Sequence, residues 1–307
     1  MKAIHALKAR LEQENIVARE QVVIAPYTTF HIGGAVALLV EPTTQEQLER
    51  ALLLARQSGK KTFLLGRGSN VLFPDEPMDI VVIRTAAVRD MQREQSTITA
   101  CCGATLAEIA RLAQRASLCG MEFAHGIPGT LGGALCMNAG AYGGQMSDIV
   151  TSVRVYDTER DAIETLDCTQ MNFSYRHSLL LSTPHLIALG ATLALGRDNP
   201  AAIEARMQEY MRRRRESQPL EYPSAGSVFK RPEGHFAGTL IEQSGLKGCR
   251  IGGAMVSPKH AGFIVNVGGA TARDVLLLIE HIKQTVERDH GVSLETEIQI
   301  LTAIHAR

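Results

Sequence analysis

Two glycine-dense segments, Gly66-Arg67-Gly68-Ser69-Asn70 and Gly126-Ile127-Pro128-Gly129-Thr130-Leu131-Gly132-Gly133, each lie near an apolar, strand-like run. Glycine lets main-chain N–H groups turn toward an anion at φ angles that other residues avoid, and it places no Cβ between backbone and phosphate. The pair predicts a cradle for the pyrophosphate of a dinucleotide cofactor. The first segment is not a Rossmann fingerprint, because Val71 stands where the third glycine belongs, and no P-loop string is present. Taken alone it also reads as an ordinary tight turn. The second continues into Asn138-Ala139-Gly140-Ala141-Tyr142-Gly143-Gly144, more glycine than one turn requires, and this favours cofactor binding.

Other chemistry is poorly supported by spacing. The six cysteines (Cys101, Cys102, Cys119, Cys136, Cys168, Cys249) form no CxxC pair, and with the scattered histidines they make no cluster of metal-ligand spacing. No metal is expected, and the cysteines read as small buried hydrophobes. Lys plus Arg balances Asp plus Glu at 32 each, so no global field draws the chain to nucleic acid or an anionic membrane. The run Arg212-Arg213-Arg214-Arg215 reads as a solvated helix end whose cations complement the macrodipole, with docking of an anionic ligand nearby as an open alternative. No apolar stretch approaches the roughly 20 residues that cross a bilayer, and Met1-Lys2-Ala3-Ile4-His5 lacks a signal-peptide core. A cytoplasmic protein is expected.

At 307 residues the length predicts two domains, sometimes three. A strand at Val36 to Val40, an amphipathic helix at Thr44 to Ser58 and a strand at Thr62 to Leu65 form a βαβ unit. Thr43 with Glu46 and Thr44 with Gln47 have capping-box spacing, and Gly59 closes the helix. Ile80 to Ile83 adds a strand. A helix follows from Thr105 to about Leu118, with Leu106, Ile109, Ala110 and Ala113 as its buried stripe. The β-rich runs Ile149 to Tyr156 and Leu186 to Leu195 predict a mixed sheet. Asp198-Asn199-Pro200 marks a boundary, so the expected organisation is a cofactor-binding region at 1–197, in subdomains of about 1–83 and 84–197, and a C-terminal domain at 198–307. Within the latter, helices are expected at Ala201 to Arg215 and Thr271 to His290, and strands at Phe263 to Val267 and Leu294 to Leu301.

Several motifs in order resemble one family, the flavin-dependent UDP-N-acetylenolpyruvoylglucosamine reductases of peptidoglycan precursor synthesis. They are Thr28-Thr29-Phe30-His31-Ile32-Gly33-Gly34, the loop at 66–70, Gly126 through Gly144, Tyr175-Arg176-His177-Ser178, Pro223-Ser224-Ala225-Gly226-Ser227-Val228-Phe229-Lys230 and Lys259-His260-Ala261-Gly262-Phe263. The resemblance implies an α+β chain: an FAD-binding fold of the p-cresol methylhydroxylase type, built from two α+β subdomains, plus a C-terminal α+β substrate domain. The short spacing from Ser178 to Leu186 leaves no room for a tyrosine-bearing insertion, which resembles the shorter branch. Tyr27, Arg67, Cys101-Cys102 and Arg231 depart from common family residues. Arg67 either adds a cation or crowds the phosphate.

The resemblance further implies noncovalent FAD, with His31 not tethering it, and NADPH as the hydride-donating co-substrate. Cofactor contacts are expected from Gly66, Arg67, Gly68, Ser69, Asn70, Gly126, Ile127, Pro128, Gly129, Gly132, Gly133, Asn138 and Gly143. Three catalytic roles fall on Arg176, which polarises the substrate carboxylate, Ser227, which protonates the carbanionic carbon, and Glu297, which donates a hydrogen bond to the growing aci-carboxylate. Read without the family, Arg176 is a surface ion-pair residue, Ser227 a turn residue and Glu297 a solvent-facing strand residue. Tyr175, Lys230, Gln243 and His260 are expected to contact a nucleotide-sugar substrate. The expected partners include neither nucleic acid nor membrane, and the expected state is a monomer or weak oligomer. Two competing readings are a flavin oxidase of another small substrate and a catalytically silent nucleotide-sugar sensor.

Overall fold

The computed structural model describes residues 2–301, and three larger sheets carry its α+β architecture. The first sheet orders its strands Val17–Val23, Ala35–Glu41, Met78–Arg84 and Thr62–Leu65. The helix Gln45–Gln57 starts where the Thr44 hydroxyl accepts from the Gln47 N–H at 3.2 Å, and it ends before Gly59 at φ 66°. Its buried residues include Leu48, Ala51, Leu52 and Ala55, as their spacing predicts. The βαβ unit is present with Met78–Arg84 inserted between its strands and parallel to both. The helix Lys2–Gln13 and the strand Val17–Val23, absent from the sequence reading, complete this part. Ile4, Leu7 and Leu11 give that helix its apolar stripe.

The second sheet runs Ala162–Asp167, Val150–Asp157, Leu186–Ala194, Thr97–Cys101 and Met91–Glu94. Every neighbouring pair is antiparallel, which corrects the expected mixed sheet. The short connections at Gln95-Ser96 and at 158–161 leave no length for the crossover that a parallel pair requires. The helix Leu106–Arg115, opened by a Thr105–Glu108 capping box, packs Leu106, Ile109, Ala110 and Ala113 under this sheet. The helix Pro200–Ser217 belongs with the same core through Ile203 and Met207, although the sequence places it at the head of the C-terminal domain. Of the cysteines Cys102 is buried, and Cys101, Cys119, Cys136 and Cys249 are half-buried against the cores.

The third sheet, Ser224–Ser227, Phe263–Asn266, Ala254–Val256 and Arg250–Ile251, has its own core with the helix Ala272–His290. A Thr271–Asp274 capping box and Gly291 at φ 68° bound that helix. The strand expected over Leu294 to Leu301 contracts to Gln299–Ile300, parallel to Val71–Leu72. The rest of the segment is extended but irregular, because its backbone divides its bonds. Lys230 N donates to Glu295 O, Glu297 N to Val228 O, and Gln299 N to Asn70 O. One short segment therefore joins the third sheet to the first glycine loop. No helix among the described residues is long and apolar enough to cross a membrane.

Candidate active site

A cavity of about 320 Å³ opens between the two glycine segments. The whole loop Gly66 to Asn70 lines it, with Ile127, Pro128, Gly129, Gly132 and Gly133 from the second segment. The glycines of the first loop are fixed by protein neighbours. A Cβ at Gly66 would stand 2.4 Å from Thr130 Oγ1, and one at Gly68, where φ is +62°, would stand 2.6 Å from Tyr27 O. Arg67 is exposed at the rim and lies in the cavity wall without crowding it shut. Gly126, Asn138 and Gly143 do not line this cavity. Asn138 is buried and holds the chain instead: its amide donates to Ser174 O at 3.1 Å, and its oxygen accepts from Ser147 N at 2.9 Å. His31 is exposed and lines neither this cavity nor its neighbour.

Three elements bring Arg176, Ser227 and Glu297 to one wall. Ser174 and His177 exchange backbone hydrogen bonds around a tight turn that puts Arg176 at φ +54°, a left-handed conformation unusual for arginine. That backbone costs of order 1 kcal/mol or more, and the Asn138 amide secures the turn at Ser174. Ser227 ends its strand beside Phe263, after a register shift at which Gly226 adopts φ +80°. The shift lets Ser227 pair with Phe263 while it lines the cavity. Glu297 donates its own N–H to Val228 O at 2.7 Å, and the Asn70 side chain donates to its carbonyl at 3.3 Å.

Arg176 Nε donates to Glu297 Oε1 at 2.8 Å, and Arg176 Nη2 to Gly140 O at 3.3 Å. Burial raises the Glu297 pKa above the usual carboxylate range, against the opposing pull of the Arg176 and Lys230 cations.

A second cavity, of about 380 Å³, shares this wall: Arg176, Ser227 and Glu297 line both. Tyr175 and His260 belong to it as well. The Tyr175 hydroxyl accepts from the Arg231 N–H at 3.2 Å, and the Arg231 guanidinium lies 4.4 Å from the centre of the exposed Phe236 ring. His260 accepts from Gly262 N through Nδ1 at 3.1 Å, and burial lowers its pKa, so the neutral ring carries its proton on Nε2. Lys230 and Gln243 line neither cavity. Lys230 pairs with Glu295 at 3.1 Å, and Gln243 is exposed at the end of the helix Ala237–Gln243.

Residues 36–166 match the profile of an FAD binding domain, and residues 218–301 match the C-terminal domain of UDP-N-acetylenolpyruvoylglucosamine reductase. A reductase of that name from Clostridium novyi is 42% identical over 96% of this chain and 95% of its own length. One from Caldanaerobacter subterraneus subsp. tengcongensis is 47% identical over 90% of each. The chain belongs to the UDP-N-acetylenolpyruvoylglucosamine reductase family. The crystal structure of the reductase from Thermus caldophilus superposes with a TM-score of 0.78 at 34% identity, over 94% of this chain and 99% of that one.

Members of this reductase family are FAD-containing oxidoreductases, and the first cavity suits FAD chemically. Its apolar wall suits a ring system, and its glycine loops and arginines suit a diphosphate. Two lining residues, Arg214 and Gln218, were missed as cofactor candidates. The signal was present in the helix periodicity. Ile203, Met207, Tyr210 and Arg214 recur at spacings of four, three and four, so the arginine falls on the buried stripe.

Proposed function

We propose that the protein reduces the enolpyruvyl group of UDP-N-acetylglucosamine enolpyruvate to give UDP-N-acetylmuramate, with NADPH as the source of hydride. The observation that carries this reading is the wall of Arg176, Ser227 and Glu297, common to the cavity suited to the cofactor and to the one beside it. FAD, held by the glycine loops of the first cavity, would supply the redox chemistry, carrying hydride from NADPH to the enolpyruvyl group. The protein's part is electrostatic and acid–base.

Hydride arrival at the methylene carbon places negative charge on the adjacent carbon and its carboxylate. Arg176 binds that carboxylate through paired guanidinium donors, an interaction that strengthens as charge grows. Protonated Glu297 donates a hydrogen bond to the same developing aci-carboxylate. Ser227 delivers its hydroxyl proton to the carbanionic carbon, which is basic enough to take it. Tyr175 and His260 hold the nucleotide sugar in the second cavity. Lys230 and Gln243 reach it only if their side chains or the substrate extend past the cavity wall.

The division into a cofactor-binding region and a C-terminal substrate domain is part of this reading, supported by the separate cores of the three sheets. We place the enzyme in the cytoplasm as a monomer or weak oligomer acting on a small molecule. The deciding test is to load the protein with FAD and follow NADPH oxidation with and without the enolpyruvyl nucleotide sugar. Substrate-dependent oxidation is expected. Oxidation driven equally well by dioxygen alone would favour the oxidase reading.

A further inference from the structure

The run Arg212-Arg213-Arg214-Arg215 does not behave as four equivalent cations. Arg212 pairs with Glu209 and Glu216 at 2.8 and 2.7 Å, and Arg213 pairs with Glu209 at 2.6 Å, all on the exposed side of the helix Pro200–Ser217. Arg214 turns the other way. It lines the first cavity and forms no ion pair with any described residue. One helical turn further on, Gln218 also lines the cavity, and its side-chain oxygen is buried without a hydrogen-bond partner. A cation that faces the cavity without a counter-ion calls for an anion there, whereas the Gln218 oxygen, an acceptor, calls for a donor.

The surroundings hold Arg214 in place. Tyr210, one turn earlier, stacks on Tyr142 of the second glycine segment, with ring centres 4.6 Å apart and planes within 6°. A Cβ at Gly126 would stand 3.0 Å from Arg214 Cδ, so the arginine lies across that glycine and takes its place facing the cavity. Lys259, beside His260 of the second cavity, donates to Arg215 O at 2.6 Å and ties down the helix end. Burial lowers the Arg214 pKa, yet a guanidinium starts so high that it stays charged.

We propose that Arg214 is the counter-cation for negative charge on the bound FAD. This rests on FAD as the cofactor and goes beyond the roles assigned to Arg176, Ser227 and Glu297. The charge has two sources on one ligand: the pyrophosphate, which is permanently anionic, and the ring, which gains charge on reduction. The two sources are separable by measurement.

The experiment strips and reloads the full-length protein with FAD, and compares it with Arg214→Met, Arg214→Lys and Arg213→Met. Affinity for oxidised FAD is read from flavin fluorescence at low and high salt, and the midpoint potential from reductive titration. If the pyrophosphate is the partner, Arg214→Met weakens oxidised FAD by about 10- to 100-fold and flattens the salt dependence. If the reduced ring is the partner, oxidised FAD binds as before, and reduced cofactor binds about tenfold less tightly, a fall of about 30 mV in potential. Arg214→Lys falls between Met and the unmodified protein, and it decides the matter if Arg214→Met does not fold. Arg213→Met changes neither quantity.

The proposal is overturned if neither quantity moves, if Arg213→Met acts like Arg214→Met, or if affinity drops with salt dependence and potential intact, which marks a structural role. Failure of the unmodified protein to bind FAD overturns it together with the functional reading. Normal FAD binding without enolpyruvyl reduction defeats only the latter.

Discussion

Arg176 and Glu297, both in the wall that the two cavities share, are ion-paired at 2.8 Å, with side chains 22% and 14% exposed. The guanidinium proposed to receive the substrate carboxylate is thus partly engaged by the protein's own carboxyl. In the proposed mechanism, protonation of Glu297 would loosen this pair and leave Arg176 free for the incoming anion. Burial works in that direction, since it raises the Glu297 pKa.

A pH profile follows with a defined sign. Reoxidation of reduced enzyme by the enolpyruvyl substrate should be fast at low pH and decline as pH rises through the elevated Glu297 pKa, where the hydrogen-bond donor is lost. In Glu297→Gln, whose amide donates without titrating, that limb should vanish while the rate falls at low pH. An unchanged limb in the variant would assign it to another group. The same shift favours folding most below the ordinary Glu range, a contribution lost as pH rises through the folded-state pKa.

The left-handed backbone at Arg176 yields a separate prediction, for stability. Arg176→Ala and Arg176→Gly both lose the ion pair, but only glycine relieves the φ of +54°. The glycine variant should be more stable by about 1 kcal/mol, read as a higher melting temperature, with turnover abolished in both. Equal melting temperatures would mean that the turn stores no strain. In Arg176→Lys, the loss should fall mainly on kcat, because a single ammonium cannot reproduce the paired donors as charge develops.

Glycines of the cradle should divide by what surrounds them. Gly68→Ala places a methyl 2.6 Å from Tyr27 O at a positive φ, so it should lower the melting temperature of the cofactor-free protein by several degrees and weaken FAD. Gly133→Ala, in the helix Leu131–Cys136 with its nearest neighbour 3.8 Å away, should leave the melting temperature unchanged or higher. A reversed order would contradict the packing described for the first loop.

Local pattern exposed much of this fold. The apolar stripe of the helix Leu106–Arg115 and the span of the helix Ala272–His290 could be read directly, since both depend on neighbours in sequence. The all-antiparallel second sheet and the dissolution of the strand around Glu297 could not, because they depend on which distant backbone accepts each hydrogen bond. The same limit applied to the site. The loop Gly66 to Asn70 announced itself by composition, whereas Arg214 was hidden in a charge run and is distinguished from Arg213 only by the face it occupies. Asn138 shows the converse: placed among the cofactor contacts by its motif, it spends its amide on the turn that presents Arg176.

Protonation by Ser227 of a carbanion formed from the substrate is tested most directly by a two-step stopped-flow experiment on Ser227→Ala. NADPH-driven flavin reduction should proceed at nearly the unmodified rate, while reoxidation by the enolpyruvyl nucleotide sugar slows by about 10²- to 10⁴-fold. Equal slowing of both steps, or normal reoxidation, would contradict the account.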